Sequence, residues 1–260
     1  MTLEVLSRQA EGNPGKTPLL FVHGAYVGAW CWEEHFLDWF ATRGRAAHAV
    51  SLRGHGASSG RKELDGFGLA DYAEDVAAAA ASLPGPAVLV GHSMGAMVVQ
   101  KALEKSKAPA AVLACPVPAY GLMPSSFRLA WTRPTLFAGL NAVANGGRAE
   151  PEVLAEALFA GRIEPSRLAA CYERMQRESR RALLEMSAWS LPLLNGSRPP
   201  TLVLGAEKDN LIAHSEAQGT AHLLGADYRL LPGLGHALML DEGWETAAQA
   251  IAAWLEERGL

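Results

Sequence analysis

The feature that most limits the fold is an alternation. Short, nearly continuous apolar runs recur along the chain, and most are followed by a segment with apolar residues at helical spacing. PLLFVHG (18–24), AAHAVSLRGHG (46–56), PAVLVGH (86–92) and AAVLACP (110–116) read as strands. Polar residues do not alternate through them, so both faces should be covered. Between them lie WCWEEHFLDWFATRG (30–44), the alanine-rich LADYAEDVAAAAASL (69–83) and MGAMVVQKALEKS (94–106), each with helical character. Strands alternating with helices predict an α/β fold: a mostly parallel sheet with helices on both faces.

The rhythm breaks between 117 and 195. That stretch holds no convincing strand but several helical patterns, among them PEVLAEALFAG (151–161) and a single helix expected over 166–189. Two further strand-and-loop segments follow, PPTLVLGAEKD (199–209) and YRLLPGLGH (228–236). The chain closes on a helix whose inward stripe is Trp244, Ala248, Ile251 and Leu255. The expected organisation is a core made of 1–116 and 196–260, interrupted by a helical cap, 117–195.

Charge and cysteine usage narrow the function classes. A net charge of −4 with scattered cations gives no electrostatic footprint for nucleic acid. No apolar leader or uninterrupted span is evident, so no membrane insertion and a cytoplasmic location are expected. Cys31, Cys115 and Cys171 have no paired spacing and read as small buried residues in a reducing compartment.

One serine stands out within this frame. Ser93 lies in Gly91-His92-Ser93-Met94-Gly95, after a predicted strand and before a predicted helix. G-x-S-x-G in that context builds a sharp turn that lifts the hydroxyl above the sheet. The flanking glycines let strand and helix pass where side chains would collide. A serine hydroxyl is a poor nucleophile at neutral pH, so it needs a base within reach and a third group to orient that base.

Of eight histidines, His236 is the best-placed base, in a Gly-rich loop after the last strand. Such a loop reaches the carboxyl edge of the sheet, where open α/β sheets build their sites. His23, His55 and His92 lie at the same edge but read as loop-shaping neighbours. His35, His48, His214 and His222 fall in helical, strand or surface patterns. Asp209 follows the penultimate strand and gives the chain order Ser, Asp, His, with Glu207 as its competitor. Asp241 reads as a cap of the last helix, and Asp227 lies at the wrong end of its strand. Attack on a carbonyl also needs amide donors for the oxyanion, worth several kcal/mol. Met94, directly after the serine, supplies one; Ala25 in HGAYVGAWCW is the choice for the other, with Tyr26 next.

As a set, FVHGAYVGAWCW, SLRGHGASSG, VGHSMGAM, VLGAEKDNLI and LPGLGHALMLD resemble the α/β-hydrolase superfamily over 1–116 and 196–260. HGAxxGAWxW is similar to the plant methylesterase and hydroxynitrile lyase branch, and RGHGxSSG to lysophospholipase-type esterases. The resemblance implies an eight-stranded sheet, a cap after the sixth strand, a catalytic set of Ser93, Asp209 and His236, and an oxyanion hole from Ala25 and Met94. It implies hydrolysis of a carboxylic ester or related acyl bond of a small molecule. The histidines lack metal spacing and no dinucleotide fingerprint is present, so no cofactor and no metal are expected. Hydroxynitrile lyases of that branch carry threonine and lysine where this chain has Gly24 and Ala237, so the cyanide-handling groups are missing. A receptor of the same fold with single-turnover hydrolysis, and a cofactor-free haloperoxidase, are the alternatives.

The cap should set substrate choice. Met123, Phe127, Leu129, Trp131, Leu136, Phe137, Leu154, Leu158, Phe159, Met186 and Trp189 read as cap core, Trp30 as helix packing, and the cap's Arg and Glu runs as a solvated face. Their abundance predicts a largely apolar pocket.

Overall fold

A computed structural model describes residues 1–12, 15–192 and 198–260, without the side chains of Ala188 and Trp189. Among these residues seven strands form one sheet: β1 (Glu4–Arg8), β2 (Leu19–Val22), β3 (Ala47–Ser51), β4 (Val88–His92), β5 (Ala111–Ala114), β6 (Thr201–Ala206) and β7 (Asp227–Leu231). Their spatial order is β1-β3-β2-β4-β5-β6-β7. Only β1 is antiparallel, to β3; every other pairing is parallel. The count is one short of the eight that the resemblance implies and one more than the six apolar runs in the sequence. The extra strand, β1, has the pattern EVLSR, too polar to read as a buried run. Its Glu4 accepts from the Ser51 hydroxyl at 2.6 Å, which helps hold it at the edge of β3.

The helices are α1 (Trp30–Glu33), α2 (Phe36–Ala41), α3 (Leu69–Ala81), α4 (Met94–Ala102), α5 (Met123–Thr132), α6 (Pro134–Ala144), α7 (Pro151–Leu158), α8 (Pro165–Arg174), α9 (Arg180–Leu184), α10 (His214–Leu224) and α11 (Trp244–Glu256). Alternate strand residues serve opposite faces, as the period of two requires. Leu19 and Phe21 pack with Trp32, Phe36 and Phe40 of α1 and α2 and with Ile251 and Trp254 of α11. Leu20 and Val22 pack with Tyr72 and Val76 of α3 and Met97 and Val98 of α4. Both faces are covered, which is why the strands show no polar alternation.

Two predicted helices are broken. The segment 30–44 splits at Glu34 and His35 into α1 and α2. The segment 166–189 ends α8 at Arg174, runs extended at Met175 and restarts at Arg180, where the Ser179 hydroxyl accepts from the Ala182 amide. Helices α5–α9 all fall between β5 and β6, so the insertion follows the fifth of the seven described strands. The expected boundary at 195/196 lies outside the described residues. Among the described residues no helix is long and apolar enough to cross a membrane.

From β2 the chain moves outward to β3, then returns past β2 to pair β4 on its other side. The carboxyl ends of β2 and β4 therefore flank a topological switch point, where open α/β sheets form a crevice. Gly24 and Ala25 leave β2 at that point, and Ser93 leaves β4.

Candidate active site

Ser93 has φ 53° and ψ −115°, a left-handed geometry that L residues seldom adopt. The turn around it is tight because its glycines leave no room for anything larger. A Cβ on Gly91 would stand 2.4 Å from the Gly95 carbonyl oxygen, and one on Gly95 would stand 2.4 Å from that of His23. The Ser93 amide donates to the Ala114 carbonyl at 3.0 Å, tying the corner to β5.

Three distant chain segments meet at this corner. His236 Nε2 lies 3.0 Å from Ser93 Oγ, and its Nδ1 lies 2.8 Å from Asp209 Oδ2. The other oxygen of Asp209 accepts the amides of Leu211 and Ile212 at 2.8 and 2.9 Å, so the carboxylate is held on both sides. Glu207, the competitor, points elsewhere and accepts the Gly233 amide at 2.9 Å. Cys115 Sγ, an Asp209 oxygen and a His236 nitrogen lie within 4.8 Å of one another. Burial and then the Asp209 charge hold that thiol well above its ordinary pKa.

The neighbouring histidines brace the corner. His92 Nε2 donates to the His236 carbonyl at 2.8 Å. Burial, then the proximity of His236, holds His92 well below the usual imidazole range. His23 Nε2 accepts the Leu52 amide at 3.0 Å and its Nδ1 donates to the Gly24 carbonyl at 2.7 Å, which fixes the neutral ring. Its pKa is pushed down to about 3, first by burial and then by the charge of His55. A Cβ at Gly24 would stand 2.9 Å from His92 Nδ1, so this position admits only glycine without displacing that ring.

Ala25 and Met94 both line the cavity above Ser93. Among the described residues neither amide has an intramolecular acceptor. The Tyr26 amide instead donates to Glu178 Oε2 at 3.4 Å, so of the two choices in this loop Ala25 is the one with a free N–H. Tyr26 itself is left-handed, with φ 68°.

The cavity measures about 310 Å³ and has no Asp, Glu, Lys or Arg among its described lining residues. Several of its polar side chains are bonded away from the void: Ser125 donates to Glu216, Ser187 to the Leu183 carbonyl and Asn141 to that of Phe137. Leu129, Phe137, Leu154, Leu158, Phe159 and Met186 line it, so these inserted residues are wall as well as packing. Met123, Phe127 and Trp131 are exposed rather than cap core, Leu136 is buried away from the cavity, and the side chain of Trp189 lies outside the described residues. Trp30 also lines the cavity, under the guanidinium of Arg174 at 4.4 Å.

Asp241 and Glu178 also differ from their sequence patterns. Asp241 does not cap the last helix; its carboxylate accepts the amides of Ala160 and Gly235 at 2.9 and 2.8 Å, fastening the His236 loop to the insertion. Glu178, read as part of a solvated face, is fully buried. It accepts from Tyr72 Oη at 2.8 Å and the Ser179 amide at 2.7 Å, and its other oxygen lies 3.0 Å from His55 Nε2. Burial alone would raise its pKa, but His55, the Ser179 amide and Tyr72 outweigh it and the carboxyl lies below its ordinary value. No local spacing marks this glutamate, because its neighbours Arg177 and Arg180 are exposed and the run reads as uniformly polar.

Comparison with known proteins agrees with the topology. A family model described as the alpha/beta hydrolase family matches residues 19–253. Two rice proteins, from Oryza sativa subsp. indica and subsp. japonica and each called probable esterase PIR7A, are 38% identical to this chain over 112 residues. The match spans 41% of this chain and 42% of each relative, less than half the relatives' length. A bromoperoxidase from Bacillus anthracis is 18% identical with a TM-score of 0.77, covering 98% of this chain and 95% of that one. The esterase EaEST from Exiguobacterium antarcticum is 15% identical, with a TM-score of 0.76 over the same shares. Est816, described as an N-acyl homoserine lactone degrading enzyme, is 20% identical with a TM-score of 0.71 over 96% of both chains. The structural likenesses speak for the fold, and the family match runs from the first residue of β2 into α11. The chain belongs to the alpha/beta hydrolase family.

Proposed function

We propose that the protein is a serine hydrolase that cleaves a carboxylic ester, or a related acyl bond, of a small and largely apolar substrate. The observation that carries this reading is the Ser93–His236–Asp209 chain of contacts, 3.0 and 2.8 Å long, beneath a cavity whose described lining holds no Asp, Glu, Lys or Arg. In this reading Ser93 Oγ attacks the acyl carbon while His236 Nε2 takes the hydroxyl proton. Asp209 holds Nδ1–H and favours the imidazolium that forms. The Ala25 and Met94 amides receive the oxyanion. Collapse of the tetrahedral species expels the alcohol, protonated by His236, and leaves an acyl-Ser93 that water hydrolyses by the same steps. No cofactor takes part.

Helices α5–α9 serve in this scheme as a cap, within an expected cap of 117–195 over a core of 1–116 and 196–260. They supply one wall of the cavity, and β-strand ends and loops supply the floor. A cavity of this kind suits hydrocarbon on the acyl or alcohol side. The free thiols of Cys31, Cys115 and Cys171 fit a reducing, cytoplasmic setting.

Steady-state hydrolysis of p-nitrophenyl esters of graded acyl length tests the reading, with Ser93→Ala as control. Sustained turnover that the substitution abolishes supports it. Wild-type-like rates from a folded Ser93→Ala variant would reject it, and a single burst with no steady state would favour a ligand-triggered receptor of the same fold.

A further inference from the structure

The oxyanion loop is fastened to the insertion, not to the core alone. After α8 the chain runs extended through Met175 and crosses two loops of the core. The Gln176 amide donates to the Tyr26 carbonyl at 2.8 Å, and Glu178 Oε2 receives the Tyr26 amide at 3.4 Å. Both polar groups of the Tyr26 backbone are thus held by residues of the insertion. The side chain of Gln176 reaches the second loop, accepting the Gly56 amide at 3.0 Å and donating to the Gly54 carbonyl at 2.9 Å. Glu178 also meets that loop through His55, whose other ring nitrogen lies 3.1 Å from the Arg53 carbonyl oxygen.

This fastening matters because Tyr26 is left-handed. A bulky non-glycine residue at φ 68° is strained and persists only where its surroundings impose it. Released from its two partners, Tyr26 would return toward the ordinary β or α region. The peptide between Ala25 and Tyr26 would turn with it, and the Ala25 amide next to that peptide would shift within the cavity that Ser93 also lines.

We propose that Glu178 is a positioning residue for the oxyanion hole: by holding Tyr26 in its left-handed conformation, it makes the inserted segment part of the rate-determining machinery rather than only a wall for substrate. This rests on the hydrolase reading above. Its signature is a loss in kcat, not in substrate binding, because the oxyanion exists only on the way to and from the tetrahedral state.

The test compares wild type, Glu178→Ala, Glu178→Gln and the double variant Glu178→Ala with Tyr26→Gly. Each is measured with p-nitrophenyl butyrate and with an aryl trifluoromethyl ketone, which forms a tetrahedral adduct on a serine. Glu178→Ala should lower kcat tenfold or more and weaken the ketone by a similar factor, with KM changed less than about twofold. Glu178→Gln has one acceptor oxygen where the carboxylate uses two, so it should recover only part of kcat. Glycine at 26 adopts φ near 68° without strain, so the double variant should regain part of what Glu178→Ala loses. Should Glu178→Ala not fold, Glu178→Met fills the same space without a carboxylate and carries the same comparison. Unchanged kcat and ketone affinity in a folded Ala or Met variant would overturn the proposal, as would a loss confined to KM. Turnover surviving in Ser93→Ala would remove the hydrolase reading itself, and the proposal with it.

Discussion

His92 Nε2 donates to the carbonyl oxygen of His236 at 2.8 Å, so the residue before Ser93 holds the backbone of the residue that faces Ser93. The strained corner and the histidine loop are separated by more than half the chain, yet they are joined by a bond independent of the contact between their reactive atoms. Geometry at the site is therefore set by main-chain anchors as much as by the side chains that would react.

Removing that anchor should cost rate. His92→Ala frees the His236 loop to shift, and a displacement of about 1 Å can cost up to roughly 100-fold. We expect kcat to fall about 10- to 100-fold with little change in KM, while His92→Gln, whose Nε2 can reach the same carbonyl, retains most of it. Steady-state kinetics on protein shown folded by circular dichroism reads the difference. Equal kcat in wild type and His92→Ala would show that the anchor does not position His236.

The buried histidines make stability depend on pH. His23 is neutral in the fold, with its pKa down to about 3, and His92 is also held well below the usual range. Unfolded, both titrate near 6.5. Above that value their contribution is fully present. As pH falls toward the folded values, the unfolded chain takes up protons that the folded chain refuses, and stability drops. The slope is about 1.4 kcal/mol per pH unit for each histidine, an upper figure for ideal titration. Urea denaturation at pH 7, 6 and 5 should show this decline, and His23→Gln should make it shallower. A free energy of unfolding that stays level over that range would contradict the assignment.

Charge on the substrate should be penalised. A carboxylate carried into a void whose described lining has no cation must shed water without compensation, at a cost of several kcal/mol. A p-nitrophenyl ester of succinic acid should therefore show kcat/KM at least about 100-fold below that of the butyrate, which has the same four-carbon acyl length. Comparable values for the two would show that substrate does not enter the apolar cavity.

Much of this architecture is legible in the sequence because it rests on short-range patterns. Uninterrupted apolar runs mark strands covered on both sides, and Gly91 and Gly95 mark a corner where backbone passes within van der Waals contact. Asp209 and His236 are legible from the strand ends they follow. Less legible are elements whose reason lies far along the chain. β1 is polar and pairs with β3, distant in the chain, with Glu4 accepting from Ser51, and Asp241 serves Ala160 and Gly235 rather than its own helix. Glu178 is the clearest case. Its four partners come from the first loop, the second loop, α3 and its own neighbour. The break that brings it inward interrupts what reads as one continuous amphipathic helix.

Mass spectrometry reads directly whether Ser93 carries the acyl group. Protein mixed with a p-nitrophenyl ester and quenched in acid during turnover, or treated with a fluorophosphonate, should gain the mass of one acyl or phosphonyl group. Peptide mapping should place that mass on Ser93, and the Ser93→Ala variant should gain none. Ester turnover with no adduct from either reagent, or an adduct on another residue that persists in Ser93→Ala, would contradict the account.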